Sequence, residues 1–386
     1  MSTRVEPAFL GTLSKFGAFD ISACFNCGNC TAVCPLSTGN DSFPRKVIRY
    51  GQIGARDRML AGKEMWLCYY CGECSDTCPR QAEPGEFMAA ARRYAIASCD
   101  PTGIARLLYS SKMFAAIFMT ALSAFFTLLL LSGAGPMVPA SPELFQFLSL
   151  NLVHDTGLIV SSVAALAMIV GILRLVRNIM RHDQRAEVQD EAKPRWLARI
   201  GRAAVTTVTE IAAQKRLGDC EEEPRLPWYV GRRFVHLCIM WGFIGLAVAT
   251  GIDYLLVFVA GKAPGQAHPL WYPPRLLGTV AGIFMTYGVA VAIVQRLRRP
   301  EKYFTHTLHS DWLFLWLLLL TGITGFVVEI GVYLPQGPAW MYLVFMIHVI
   351  LGMEVVVLLP FTKFAHAVYR PIGLFASNLL ATRTRE

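Results

Sequence analysis

The sequence predicts an all-α protein in two parts: a helical, cysteine-rich module at residues 1–105 and a six-helix transmembrane bundle over residues 106–386. Three observations predict it. Eight cysteines near the N-terminus fall into two identically spaced quartets. The stretch between the quartets, FPRKVIRYGQIGARDRML, has helical rather than alternating apolar spacing. Beyond residue 112 come six apolar segments, each near the roughly 20 residues that cross a hydrocarbon core.

The quartets are Cys24, Cys27, Cys30 and Cys34, with Pro35 behind, and Cys68, Cys71, Cys74 and Cys78, with Pro79 behind. Each reads C-x2-C-x2-C-x3-C-P, the spacing that wraps thiolates around a [4Fe–4S] cluster. Short spacers let three successive sulfurs face one cluster, and the fourth is carried to the other. The expected ligand sets are Cys24, Cys27, Cys30 and Cys78 for one cluster, and Cys68, Cys71, Cys74 and Cys34 for its neighbour. Zinc sites usually take paired cysteines, and disulfides do not suit a reducing compartment. The 33 residues between the quartets exceed what a compact β-rich ferredoxin uses, so an α-helical dicluster ferredoxin is expected. A further helix is expected at 84–98, opened by Pro84 in the first turn. Cys99, Cys220 and Cys238 lack partner spacing and read as inert thiols.

Composition supports the membrane part. The chain is 54% hydrophobic and 16% charged, too apolar for an ordinary soluble protein. Its net charge of +9 does not indicate nucleic acid, because the basic residues cluster beside the apolar spans. The N-terminal MSTRVEPAFL has neither a long apolar core nor a cleavage site, so no signal peptide is expected. Spans are expected at 113–133, 152–176, 234–259, 276–295, 312–333 and 340–361. Residues 134–151 and 334–339 hold no Lys or Arg, whereas 174–233, 296–302 and the tail are basic. Positive loops stay inside, which places both termini, the clusters and the 177–233 loop in the cytoplasm, at the inner membrane. Within that loop, residues 195–218 are basic and amphipathic. They suit a membrane surface, a partner or a solvated connector.

Histidines in spans are costly and by default functional. His348 and His366 lie five helical turns apart, about 27 Å on one face if the last helix runs straight; Pro360 can bend it. Two such histidines can each ligate one of two stacked b haems, which need only axial side chains. His236 pairs with His366 by depth as the inner set, and His154 with His348 as the outer set. One or two haems are therefore expected. His182, His268, His306 and His309 read as solvated loop residues. A lipid-side quinol sheds protons as it gives up electrons, so an acid or a histidine beside a haem is useful. Asp253, Glu329, Glu354 and Lys363 are the candidates, although Glu354 can equally pair with a neighbouring helix and Lys363 can snorkel.

The stretches CFNCGNCTAVCPLS…FPRK and WLCYYCGECSDTCPR-QAEPGEF resemble the cluster domain of the heterodisulfide reductase C protein, its iron–sulfur component. The segment IHVILG…LLPFTKFAHAVYRP resembles the haem-b gamma component of respiratory nitrate reductase and the heterodisulfide reductase E protein. Their fusion resembles the membrane component of quinone-interacting membrane-bound oxidoreductases. The resemblance implies electron exchange with menaquinone or a similar quinone through b haems. It implies cytoplasmic flavin/iron–sulfur partners resembling heterodisulfide reductase A, and a link to adenylylsulfate reductase. A related protein with a different acceptor, such as a heterodisulfide or a tricarboxylate-oxidising flavoprotein, keeps the same plan. So does a haem-free anchor for an iron–sulfur module.

Overall fold

The computed structural model describes residues 4–37, 42–137, 144–183, 196–219, 227–264, 268–298, 306–334 and 340–381. The regular structure among these residues is helical, with one isolated bridge between Ala134 and Leu148 and no strands. Cys220, residues 184–195 and 220–226 of the basic 177–233 stretch, and Arg383 and Arg385 lie outside the described residues. So does the side chain of His182.

The N-terminal part is built from short helices: α1 (Phe9–Ser14), α2 (Asn29–Ala32), α3 (Arg45–Gln52), α4 (Arg56–Ala61), α5 (Glu64–Leu67) and α6 (Glu73–Asp76). They pack on α7 (Pro84–Cys99), which begins with proline as its sequence suggests. A proline suits that place because the first-turn N–H has no helical partner in any case. Phe9, Phe16, Phe87 and Tyr94 form the local core, with Tyr94 edge-on to both Phe9 and Phe16. The helix α8 (Ile104–Ser110) leads to the membrane part, and Ser111 caps the next helix by accepting from Phe114 N–H at 3.2 Å.

Six helices are long and apolar enough to span: α9 (Lys112–Ser132), α11 (Leu150–Asp183), α14 (Arg232–Phe258), α15 (Pro273–Arg298), α16 (His309–Gly331) and α17 (Trp340–Leu358). A short α10 (Leu144–Phe147) precedes α11. Outward faces of these helices are apolar, with Leu128, Ile159, Leu166, Leu173 and Ile283 all exposed, as lipid contact requires. Between helices, where lipid and side chain are equally apolar, close approach depends on small residues. A Cβ on Gly242 would stand 2.5 Å from the backbone N of Met285, and one on Gly288 2.9 Å from the Val235 carbonyl oxygen, so α14 and α15 touch backbone to backbone.

Three helices outside the spans join the parts. α12 (Trp196–Ala213), continued by α13 (Lys215–Asp219), packs on α18 (His366–Ala381) through an Asn378–Thr207 hydrogen bond of 2.9 Å. The last span does not run straight through to His366. α17 stops at Leu358, Thr362 is extended, and a 3-10 turn over Lys363–Ala365 starts α18. Pro360 lacks the N–H that would continue the ladder. The same-face relation between His348 and His366 therefore does not hold, and His366 opens a separate helix.

Candidate redox site

Both quartets fold alike. Asn26 and Tyr70, one residue before the second cysteine of each set, are left-handed, and so are Gly28 and Gly72 just after it. A short helix then follows each glycine, α2 in the first copy and α6 in the second. Left-handed residues turn successive N–H groups to one side, which makes an anion-binding concavity. The N–H groups of Tyr70 and Ala82 point at the sulfurs of Cys68 and Cys78, each at 3.4 Å. The copies also hold each other, since Asn29 donates to the Thr77 carbonyl at 2.5 Å.

The cysteines converge across the copies. Cys30 lies within electrostatic reach of Cys24, Cys27 and Cys78, and Cys34 within reach of Cys68 and Cys71. Burial pushes the Cys34 thiol up to about 11; burial, then Cys68 and Cys71, pushes Cys74 up too. Bound iron would offset that crowding of sulfur charge. Among the described residues the cysteines are free of disulfides, and no set of three His, Cys, Asp or Glu side chains closes on a single metal ion. The sulfurs brought together across the copies suit clusters held by four thiolates each. Cys99 and Cys238 are buried, as inert thiols are.

The second quartet is pinned to the membrane part. Half-buried Arg92 donates to the carbonyls of Met65 (2.9 Å) and Cys68 (2.5 Å). Arg232, at the start of α14, donates to the Tyr69 carbonyl at 2.6 Å, and Arg370 of α18 stacks 4.0 Å from the Tyr69 ring. The Tyr69 hydroxyl donates to Glu210 of α12. Trp66 is fully buried against Tyr369, and Gly373 approaches its Cβ so closely that a Cβ there would stand at 2.6 Å. The first quartet lies outward: Cys27 is exposed, as is Phe25 beside it.

Behind this junction are His236 and His366. His366 feels the charge of His236, Arg92, Arg370 and Lys363. Burial, then Arg92 and Arg370, holds it well below the ordinary histidine range, so the ring is neutral, as a metal ligand must be. Its Nδ1 is buried without a partner, and so are Nε and Nη2 of Arg370. His236 is exposed, although Val235 and Cys238 beside it are buried. Phe364 lies between Phe243 and Phe314, 5.8 and 4.6 Å from their rings, and forms an aromatic floor here. These observations fit a flat aromatic group with acidic substituents: two imidazoles, orphaned guanidinium donors and an aromatic contact.

The outer histidines are differently placed. From residue 236 to residue 254, α14 climbs about 27 Å. At that level His154 Nδ1 meets Asp155 at 2.8 Å and Nε2 meets the Tyr254 hydroxyl at 3.3 Å. Phe258 lies 4.2 Å from its ring. His348 Nδ1 meets Thr324 Oγ1 at 3.0 Å, and its ring lies 3.1 Å from where a Cβ on Gly325 would sit. Each outer imidazole thus has a local partner, and no His154–His348 contact is made.

The four acid and lysine candidates do not gather. Asp253 pairs with Lys262, and Glu329 with Arg275 (3.2 Å) and Thr279 (2.7 Å), both at the outer end. Glu354 is buried midway and accepts from Ser123 of α9 at 2.5 Å. Lys363 is at the inner side, 2.8 Å from Asp311, which also binds Arg93 at 3.3 Å. Two histidines read as solvated are not: His309 bonds the Leu108 carbonyl at 2.8 Å, and His268 stacks on Tyr272 with Nε2 buried. Glu86, next to this ion network and absent from the sequence reading, is 4% exposed with both oxygens unpartnered. Burial pushes its carboxyl up to about 7. Its only sequence signal is an acid inside an otherwise apolar helix start.

Six membrane-length helices fused to a pair of cubane-type cysteine motifs define a membrane-associated electron-transfer protein. Residues 20–82 match the 4Fe-4S dicluster domain, and residues 152–386 match citrate utilization protein B; the chain belongs to the citrate utilization protein B family. Citrate utilization protein B of Escherichia coli is 32% identical over 165 residues, 40% of this chain and 39% of that protein. A protein of Archaeoglobus profundus that is like the heterodisulfide reductase C protein is 33% identical over 28% of this chain and 60% of its own. Nitrate reductase-like protein NarX of Mycobacterium tuberculosis is 26% identical over 39% of this chain and 26% of its own. The chain thus spans less than two-thirds of each of these relatives. The last two fit the resemblance drawn from the cysteine flanks and the final helices. No solved structure matches the chain.

Proposed function

We propose that this protein passes electrons between the membrane quinone pool and a cytoplasmic flavin or flavin/iron–sulfur partner, through b haem and two [4Fe–4S] clusters. The observation that carries the proposal is the junction at Tyr69. There the second cysteine quartet, His236 and His366 are drawn to one place by Arg92, Arg232 and Arg370. Haem and cluster supply one-electron carriers; the chain supplies their ligands and spacing. His236 and His366 would hold a haem at the inner level, and Arg370 with Arg232 would meet its acidic substituents. Cys24, Cys27, Cys30 and Cys78 hold the outward cluster, and Cys68, Cys71, Cys74 and Cys34 the one nearer the membrane. His154 and His348 would form a second haem pair if His154 Nε2 left Tyr254; Thr324 holds only the Nδ1 of His348, which leaves that ring's Nε2 free for iron.

The outward cluster, with Cys27 and Phe25 exposed, is the exit to the soluble partner. The clusters and both termini lie on the cytoplasmic side, where the basic loops stay. Quinol oxidation or quinone reduction moves protons as well as electrons. Lys363 with Asp311 is the candidate group nearest the inner histidines. Family membership favours a tricarboxylate-oxidising flavoprotein as the partner. Adenylylsulfate reductase is the alternative that the resemblance to quinone-interacting oxidoreductases brings. The test reconstitutes the full chain with menaquinone in nanodiscs and adds each reduced partner type anaerobically. Cluster and haem reduction with the flavoprotein alone supports the first partner, and reduction with neither defeats the proposal.

A further inference from the structure

The apolar surface of α12 is not used up by its packing. One side, with Ala203 and Thr207, is buried on α18, and Glu210 reaches the cluster loop. Residues 197, 201, 205 and 208 share another face by helical spacing. There Leu197, Val205 and Val208 are 67%, 65% and 64% exposed. Arg199 and Arg202 fall off this stripe with Thr206 and Thr209, and exposed Lys215 and Arg216 follow in α13. A clean apolar face beside a basic one is the pattern of a helix lying in a bilayer interface.

What covers the stripe is indicated by its neighbour. The exposed Trp241 of α14 donates its indole N–H to the Ala212 carbonyl at 3.1 Å. Trp241 heads a row of exposed apolar residues on the same span, Ile244, Val248, Ile252 and Leu255, which face lipid. The apolar face of α12 therefore continues the lipid-facing flank of α14, at the level where tryptophans favour headgroups. We infer that α12 is an in-plane membrane helix that binds anionic phospholipid, its Leu197–Val208 stripe in the acyl boundary and its arginines at the headgroups. Through Glu210 and Tyr69 it then straps the second cysteine quartet to the membrane surface.

The test places the photo-crosslinking residue p-benzoylphenylalanine at position 205, 208 or 206 of the full chain. The chain sits in nanodiscs of mixed phosphatidylglycerol and phosphatidylcholine with its partner extract present. Mass spectrometry of the adducts should show lipid attached at 205 and 208, with that adduct lost at 206. Adducts at 205 and 208 to another polypeptide or a second copy, or equal lipid labelling at all three positions, would overturn the inference. The double variant Arg199→Gln/Arg202→Gln, with the probe at 208, should lower the ratio of phosphatidylglycerol to phosphatidylcholine adducts roughly fivefold or more. An unchanged ratio would overturn the preference for anionic headgroups.

Discussion

Glu86 is a carboxyl without a hydrogen-bond partner inside the seam between the cluster helices and the membrane bundle. Because burial raises its folded-state pKa to about 7, above the unfolded value near 4.5, the folded state holds the extra proton. Its contribution to stability is complete below about pH 4.5 and is lost as the pH rises through about 7, by about 3 kcal/mol in all. The melting temperature of the detergent-purified protein should therefore fall between pH 5 and 8, and Glu86→Gln should flatten that fall. Equal slopes for the two proteins would show that Glu86 does not hold the proton. Among the cysteines, Cys71→Ser should remove one cluster's EPR signal and about half of the non-haem iron while leaving haem absorption intact. Wild-type iron content would defeat the ligand assignment.

At the scale of elements, the junction depends on one close approach. α18 rides against Trp66 because residue 373 has no side chain, and a Cβ there would press on the indole. Gly373→Val should push α18 off the α5 loop at a cost of about 1–3 kcal/mol, the usual penalty for overpacking. Thermal unfolding followed by cluster absorbance would report it; a wild-type transition would mean that the seam is loose. This contact was not legible in the sequence, because nothing in a lone glycine says what will face it. The cysteine quartets were legible, since their spacing is itself the geometry of the loop. The spans were legible, since length and apolarity fix them, but the second was read as ending at 176 whereas its helix runs on to Asp183, because the basic residues that end the apolar run do not end the helix. The break before His366 was only half legible: Pro360 announced a bend, but the new helix start depends on Phe364 seating between Phe243 and Phe314. His268 and His309 were misread because loop position says little about burial when a carbonyl or an aromatic ring lies close in space.

Across the whole molecule, the order of parts suits the proposed route. His236 and His366 stand behind the second quartet, the second quartet behind the first, and the first opens to solvent at Cys27. Three arginines from α7, α14 and α18 close the seam that an electron would cross. The family identity was not read from the chain, but the plan shared by its relatives was, because that plan resides in the motifs and spans. The central claim is that His236 and His366 hold a haem standing between quinone and clusters. It is tested most directly by a reduced-minus-oxidised visible spectrum of the purified protein with a menaquinol analogue as reductant, on wild type and His366→Ala. The account predicts a low-spin b-type band in the wild type on quinol addition, followed by cluster reduction, with both lost in the variant. A fully cluster-loaded wild-type protein without that band, or an unchanged band in His366→Ala, would contradict it.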